Sequence, residues 1–186
     1  MFRLSSLAHL RASARALICA VVLLAVSVPA LAARTVLVFG DSLSAGYGIR
    51  QDAAWPNLLG QRLAARGFDY SVVNASISGE TTSGGRSRLD AALERHRPTV
   101  LILALGSNDG LRGLPVRTVR DNLNAMIDSA QKHKVLVLLL PQHLPPNYGP
   151  YADDFAAVFP AVAKARKVAL GDYLLADIAN ALRYVP

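Results

Sequence analysis

An α/β fold, a parallel sheet with helices on both faces, follows from three observations. Four short runs, Thr35–Phe39, Tyr70–Ala75, Val100–Leu105 and Val135–Leu140, are mainly apolar or β-branched and read as strands, those from Val100 and Val135 being apolar throughout. The segments between them carry apolar residues every three or four positions, the period of a helix. Each of the first three runs passes into a loop that contains glycine. Strand–helix alternation of this kind is satisfied by parallel strands joined through crossover helices.

Taken in order, Thr35–Phe39 is the first buried strand, and Gly40-Asp41-Ser42 breaks it. Gly40 is expected there because it turns without a Cβ penalty. Ala53–Arg66 is the first helix, with Trp55, Leu58, Leu59 and Leu63 near one face and Gly67 as its stop. Tyr70–Ala75 is the second strand. Gly84–His96 is a helix with Leu89, Ala92 and Leu93 inward, ended by Pro98. Val100–Leu105 is the third strand. Pro115–Lys132 is a helix on which Val116, Val119, Leu123, Met126 and Ile127 step by three or four. Val135–Leu140 is the fourth strand, Tyr151–Arg166 a helix built on Phe155, Val158, Phe159 and Val162, Lys167–Leu170 a short fifth strand, and Asp172–Leu182 a last helix.

The first 32 residues have the pattern of a secretory signal: Arg3, Arg11 and Arg15, an apolar stretch from Ala16 to Val28, Pro29, and the cleavage-site triplet Ala30-Leu31-Ala32. The apolar stretch is short for a membrane span of about 20 residues. Cys19 lies inside it, behind Ile18 rather than a small residue, which argues against lipoprotein processing. Cleavage would leave 154 of the 186 residues as one domain, 33–186, located in the periplasm or outside the cell. The only cysteine would go with the signal, removing disulfides and thiolate metal sites from consideration. The net charge of +7 would fall to +4, spread along the chain without a basic, aromatic-rich patch. Nucleic acid is therefore not an expected partner, and no stable membrane anchor is expected after cleavage.

Three loops share the C-terminal edge of the expected sheet, where open α/β sheets bind ligands. They carry Ser42, Gly79 and Asn108. Each residue alone has an ordinary explanation: a helix cap at Ser42, a turn glycine at Gly79, an Asn-Asp-Gly turn at Asn108. Together they are the parts of an acyl-transfer site. A serine hydroxyl attacks a carbonyl when a base takes its proton, and the oxyanion that forms needs donors about 3 Å away. The N–H groups of Ser42 and Gly79 and the Asn108 amide are the candidates. No glycine-rich phosphate fingerprint follows the first strand, so a flavodoxin-type cofactor binder is disfavoured.

The stretches Gly40-Asp41-Ser42-Leu43-Ser44-Ala45-Gly46-Tyr47, Ala54-Trp55-Pro56, Val73-Asn74-Ala75-Ser76-Ile77-Ser78-Gly79-Glu80-Thr81, Gly106-Ser107-Asn108-Asp109-Gly110-Leu111-Arg112-Gly113 and Leu144-Pro145-Pro146-Asn147-Tyr148-Gly149 together resemble the SGNH (GDSL) hydrolases. Within that family the likeness is to the secreted bacterial thioesterase, lysophospholipase and arylesterase group, and it runs from about residue 34 to about residue 170. The resemblance implies a three-layer α/β/α, flavodoxin-like sheet. It implies Ser42 as nucleophile, Gly79 and Asn108 as oxyanion residues, and Asp109 to Leu114 as a loop that shifts with substrate. A second loop around Leu144 to Tyr148 would line the acyl groove. Asp41, Asp109, Gly110, Leu111, Leu144 and Pro145 are thereby expected at the substrate. Acyl esters and thioesters are the implied substrates, with no metal, no cofactor and a monomeric state.

One departure stands out. The family's acid and histidine lie in an Asp-x-x-His block near the C-terminus, and none of the later aspartates, Asp153, Asp154, Asp172 and Asp177, is followed by histidine at that spacing. The expectation is a chain that stops short of this block, with the last elements of the fold missing, or a degenerate hydrolase. Impaired turnover follows, as does poor solubility from an apolar face left bare. An acyl- or lipid-binding remnant without turnover is the rival reading. Of the remaining histidines, His96 and His133 precede strands and belong to the opposite edge. His143 follows the fourth strand on the site's edge, where it reads as a loop histidine without catalytic duty, although Asp153 or Asp154 could orient it as a base.

Overall fold

The computed structural model describes residues 34–177. They form a five-stranded, wholly parallel sheet of order β2-β1-β3-β4-β5. The strands are β1 (Arg34–Gly40), β2 (Tyr70–Asn74), β3 (Val100–Ala104), β4 (Leu136–Leu139) and β5 (Ala169–Leu170). The helices are α1 (Ser42–Ala45), α2 (Trp55–Ala65), α3 (Thr82–His96), α4 (Ser107–Leu111), α5 (Val116–Lys132) and α6 (Pro150–Arg166), with 3-10 turns at Gln51–Ala53 and Pro146–Tyr148. The expected signal, 1–32, and residues 178–182 of the expected last helix lie outside the described residues; of the rest of that helix, 172–175 is not helical and only Ala176 and Asp177 are.

The order 2-1-3-4-5 is the flavodoxin-like one, and the chain reverses direction across the sheet between β1 and β3. Alternation along the strands sorts the core into two layers. Leu37 and Phe39 of β1, Leu101 and Leu103 of β3 and Val137 and Leu139 of β4 pack with the apolar stripes of α3, α5 and α6. Val36, Val38, Ile102 and Ala104 face the other way, toward Trp55, Leu59 and Leu63 of α2. Leu138 and Leu174 lie in this second layer too, but Leu136 at the start of β4 remains 71% exposed.

Two short helices, α1 and α4, were not foreseen and occupy the loops that follow β1 and β3. Each is a single turn placed by its first residues. Asp41 caps α1 by accepting the Leu43 N–H, and Gly46 ends it at φ 75°. Gly106 opens α4 at φ 130°, a conformation that favours glycine. The next expected helix starts two residues earlier than its pattern suggests, because Thr81 accepts the Gly84 N–H and caps α3 at Thr82. The segment Asp109 to Leu114, expected as a loop, is helical through Leu111.

Candidate active site

Ser42 is the first residue of α1, half-buried, with its hydroxyl unpaired among the described residues. Its position depends on how closely α1 folds back over the end of β1. A Cβ on Gly40 would lie 2.6 Å from Ser44 Oγ and 3.0 Å from the Ala104 carbonyl oxygen. The glycine is needed for space: its φ is not among the positive ones, so the freedom to turn is not what the position uses.

The β2–α3 segment is bonded to this turn at three points. Gly40 N–H donates to Ser76 Oγ at 3.0 Å. Ile77 N–H donates to the Gly40 carbonyl at 3.0 Å. Asn74 Nδ2 donates to the Ser44 carbonyl at 2.8 Å, while Asn74 Oδ1 accepts the Ser76 N–H. Gly79 follows in the left-handed region at φ 79°, exposed, with open space where a Cβ would be. That φ is why glycine suits the position.

Asn108, in the first turn of α4, reaches the same segment. Its Nδ2 donates to the Glu80 carbonyl at 2.9 Å, which places its amide one residue from Gly79 and leaves one N–H of the amide uncommitted. Arg112 Nη2 donates to the Gly79 carbonyl at 3.3 Å. Among the described residues neither the Ser42 N–H nor the Gly79 N–H has an acceptor. Ser42, Gly79 and Asn108 thus sit on three loops laced to one another, with two backbone donors and one amide donor free to serve an incoming anionic oxygen.

The residues expected around them divide. Leu111 is exposed at the tip of α4 and Pro145 is exposed. Leu144 is half-buried and packs against Gly110, where a Cβ would come within 2.7 Å of Leu144 Cδ2 and 3.0 Å of the Phe155 ring. Three expected substrate contacts need correction. Gly110 is buried against those two side chains. Asp109 is fully buried, and both its carboxylate oxygens accept from Thr82. Asp41 is 1% exposed, with Oδ1 capping α1 and Oδ2 buried without a partner among the described residues. Burial pushes the Asp41 carboxyl above the usual carboxylate range, against the smaller opposite pull of the Leu43 N–H. These groups shape the loops and have no surface to offer a ligand.

The loop after β4 is tied to α4 and the residues beyond it. Tyr148 OH donates to the Leu111 carbonyl at 3.0 Å and Tyr151 OH to the Leu114 carbonyl at 2.6 Å. His143 is exposed, its ring 4.7 Å from that of Tyr173. His96 and His133 close α3 and α5 at the edge of the sheet opposite Ser42. On the loops at this edge, Leu43, Tyr47 and Ile49 after β1, Ile77 after β2 and Leu111 after β3 are exposed apolar side chains, the apolar rim of the site's edge.

Sequence reasoning missed Thr82, Asn122 and the Arg88–Glu80 pair. Arg88 Nε meets Glu80 Oε2 at 2.6 Å, Nη1 holds the Ala75 carbonyl at 2.8 Å, and the guanidinium lies 3.8 Å from the Phe39 ring centroid. A signal existed for Asn122: it interrupts the apolar stripe of α5 between Val119 and Met126, where an amide needs a buried partner.

A flavodoxin-like sheet with an uncommitted serine at its switch point, on loops bonded to those of Gly79 and Asn108, is the architecture of the α/β/α hydrolases. Residues 38–185 match the model of the GDSL-like lipase/acylhydrolase family, and the chain belongs to that family, the SGNH hydrolases; it is an ester hydrolase by that resemblance. It is 47% identical over 148 residues to "Esterase TesA" of Pseudomonas aeruginosa, covering 79% of this chain and 74% of the relative. It is 40% identical over 150 residues to "Thioesterase 1/protease 1/lysophospholipase L1" of Escherichia coli K12, covering 80% and 71%. Among solved structures, the psychrotrophic esterase EstA from Pseudoalteromonas sp. superimposes with a TM-score of 0.76 at 39% identity, covering 82% of this chain and 84% of that one.

Proposed function

We propose that this chain cleaves acyl esters and thioesters through Ser42. Ser42 Oγ attacks the acyl carbonyl carbon, and the carbonyl oxygen becomes an oxyanion held by the Ser42 N–H, the Gly79 N–H and the free N–H of the Asn108 amide. The proton lost by Ser42 Oγ ends on the leaving oxygen or sulfur, carried by solvent water or a base; collapse expels the alcohol or thiol and leaves an acyl-serine, which water hydrolyses to regenerate Ser42 and release the acid. The observation that supports this most is the absence of acceptors for both backbone donors among the described residues, on loops already bonded to one another. Groups aimed at developing charge and not otherwise engaged cost no reorganisation when that charge appears.

The apolar rim of Leu43, Tyr47, Ile49, Ile77 and Leu111 suits a hydrocarbon acyl chain better than a polar one. The relatives named esterase and thioesterase/lysophospholipase support an ester or thioester substrate. Proton removal from Ser42 needs a base. No Asp-x-x-His occurs among these 186 residues, and the exposed His143 has its ring tilted against that of Tyr173, 4.7 Å between centroids. Oxyanion stabilisation and binding by themselves supply about 10³–10⁴-fold over water in serine hydrolases. Ser42-dependent turnover is the expected behaviour of the chain, as a monomer in the periplasm or outside the cell.

The test is hydrolysis of p-nitrophenyl butyrate by the chain beside its Ser42→Ala variant. Turnover above background that disappears in the variant supports the reading. Equal rates, with retained binding of a long-chain fatty acid, favour the acyl-binding remnant without turnover.

A further inference from the structure

Four polar side chains form a directed series beneath the loops of Gly79 and Asn108. Arg86 Nη1 donates to Asn122 Oδ1 at 3.3 Å. Asn122 Nδ2 donates to Thr82 Oγ1 at 3.1 Å. Thr82 Oγ1 donates to Asp109 Oδ1 at 2.6 Å, and the Thr82 N–H donates to Asp109 Oδ2 at 2.8 Å. The direction is fixed at both ends, because a guanidinium only donates and a carboxylate only accepts. The Asn122 amide has one usable orientation, and the Thr82 hydroxyl proton one destination. Thr82 and Asp109 are fully buried and Asn122 is 6% exposed. Arg86 is exposed and heads the series from the surface; the three buried members, each paired, rigidify what they join.

What it joins is the oxyanion hole. Thr82 lies three residues after Gly79, and Asp109 directly follows Asn108. Two neighbouring side chains of α4 therefore grip the same segment at two places: Asn108 at the Glu80 carbonyl and Asp109 at Thr82. A single bond would leave a pivot between segment and helix. The second bond removes it and fixes the Asn108 amide relative to the Gly79 N–H. Asp109 has no exposed surface, so it acts on substrate only through this arrangement.

We propose that the Thr82–Asp109 clamp, oriented by Asn122, is a positioning device for the oxyanion hole, resting on the roles assigned above to Gly79 and Asn108. Its effect falls on the transition state, where the donors are needed, and leaves ground-state binding at the apolar rim unchanged.

The experiment compares Thr82→Val, which removes the hydroxyl at constant shape, with Thr82→Ser, which keeps it. Steady-state hydrolysis of p-nitrophenyl butyrate is read against the Ser42→Ala floor, with a thermal melt and backbone amide exchange over residues 79–82. A misplaced donor set lowers kcat by about 10–10²-fold in Thr82→Val with KM held within about twofold, and Thr82→Ser recovers most of kcat. Unchanged kcat in folded Thr82→Val with only a lower Tm overturns the proposal, as does a change carried by KM. If the parent chain does not exceed the Ser42→Ala floor, the functional reading fails, and exchange decides the clamp separately. Faster exchange at Gly79–Thr82 in Thr82→Val then supports the clamp, and unchanged exchange overturns it.

Discussion

Asp41 sits next to the nucleophile with one carboxylate oxygen capping α1 and the other buried without a partner among the described residues. Its pKa is raised chiefly by burial. A carboxyl held above its unfolded value binds its proton more tightly in the folded protein. Its contribution to stability is thus present below the unfolded pKa of about 4 and is lost as pH rises through the folded one. Asp41→Asn retains a good N-cap and carries no charge to bury. The stability of the variant relative to the parent is expected to increase from pH 4 upward and then level off, as measured by denaturant unfolding across that range. A difference that stays flat or falls with pH would show the Leu43 N–H outweighing burial.

The turn from β1 into α1 and the turn from β3 into α4 are both set by contact between elements. Gly40 leaves no Cβ between Ser44 of α1 and the Ala104 carbonyl of β3, which a Cβ there would meet at 2.6 and 3.0 Å. Gly40→Ala drives a methyl group into Ser44 and the Ala104 carbonyl, and overpacking of this kind costs about 1–3 kcal/mol. The strain is relieved most easily by moving α1, which carries Ser42. Ser42-dependent hydrolysis is expected to fall by about 10²-fold, since displacements near 1 Å have that effect. A melt and a p-nitrophenyl butyrate assay on one preparation check both numbers, and a variant that loses stability while keeping its rate would place the strain elsewhere. Gly110 plays the matching part in α4, which packs on Leu144 and Phe155. Phe155 in turn meets Phe159 edge-on at 5.4 Å between centroids, continuing the core of α6 to the site.

The two faces of the sheet are covered unequally among the described residues. One carries α3, α5 and α6 over a large continuous core, and the other carries α2 and Leu174 over a small one. Leu136, on the lightly covered side and 71% exposed, is the largest single liability of β4. Leu136→Thr keeps a residue suited to a strand and removes apolar surface. The soluble yield of the 33–186 chain is expected to rise with that substitution. A parent chain that already melts cooperatively at high temperature, with an aggregation onset unmoved by Leu136→Thr, would contradict the expected poor solubility.

Hydrophobic period and turn chemistry, both local properties, were enough to read the alternation of strands and helices, the two-sided burial of β3, and the placing of Ser42, Gly79 and Asn108 beyond three strand ends. Strand and helix boundaries moved by a few residues where a cap such as Thr81 intervened. The short helices α1 and α4 escaped notice because one turn leaves no periodic trace. The burial of Asp41, Asp109 and Gly110 was not legible either, for a different reason. Whether a carboxylate faces a ligand or the core depends on who stands opposite it, and the partners here come from far along the chain: Thr82 is 27 positions from Asp109, and Asn122 is 40 from Thr82. A linear sequence specifies which groups need partners. The packing of α3, α4 and α5 chose those partners, because only the folded chain brings donor and acceptor within hydrogen-bond distance.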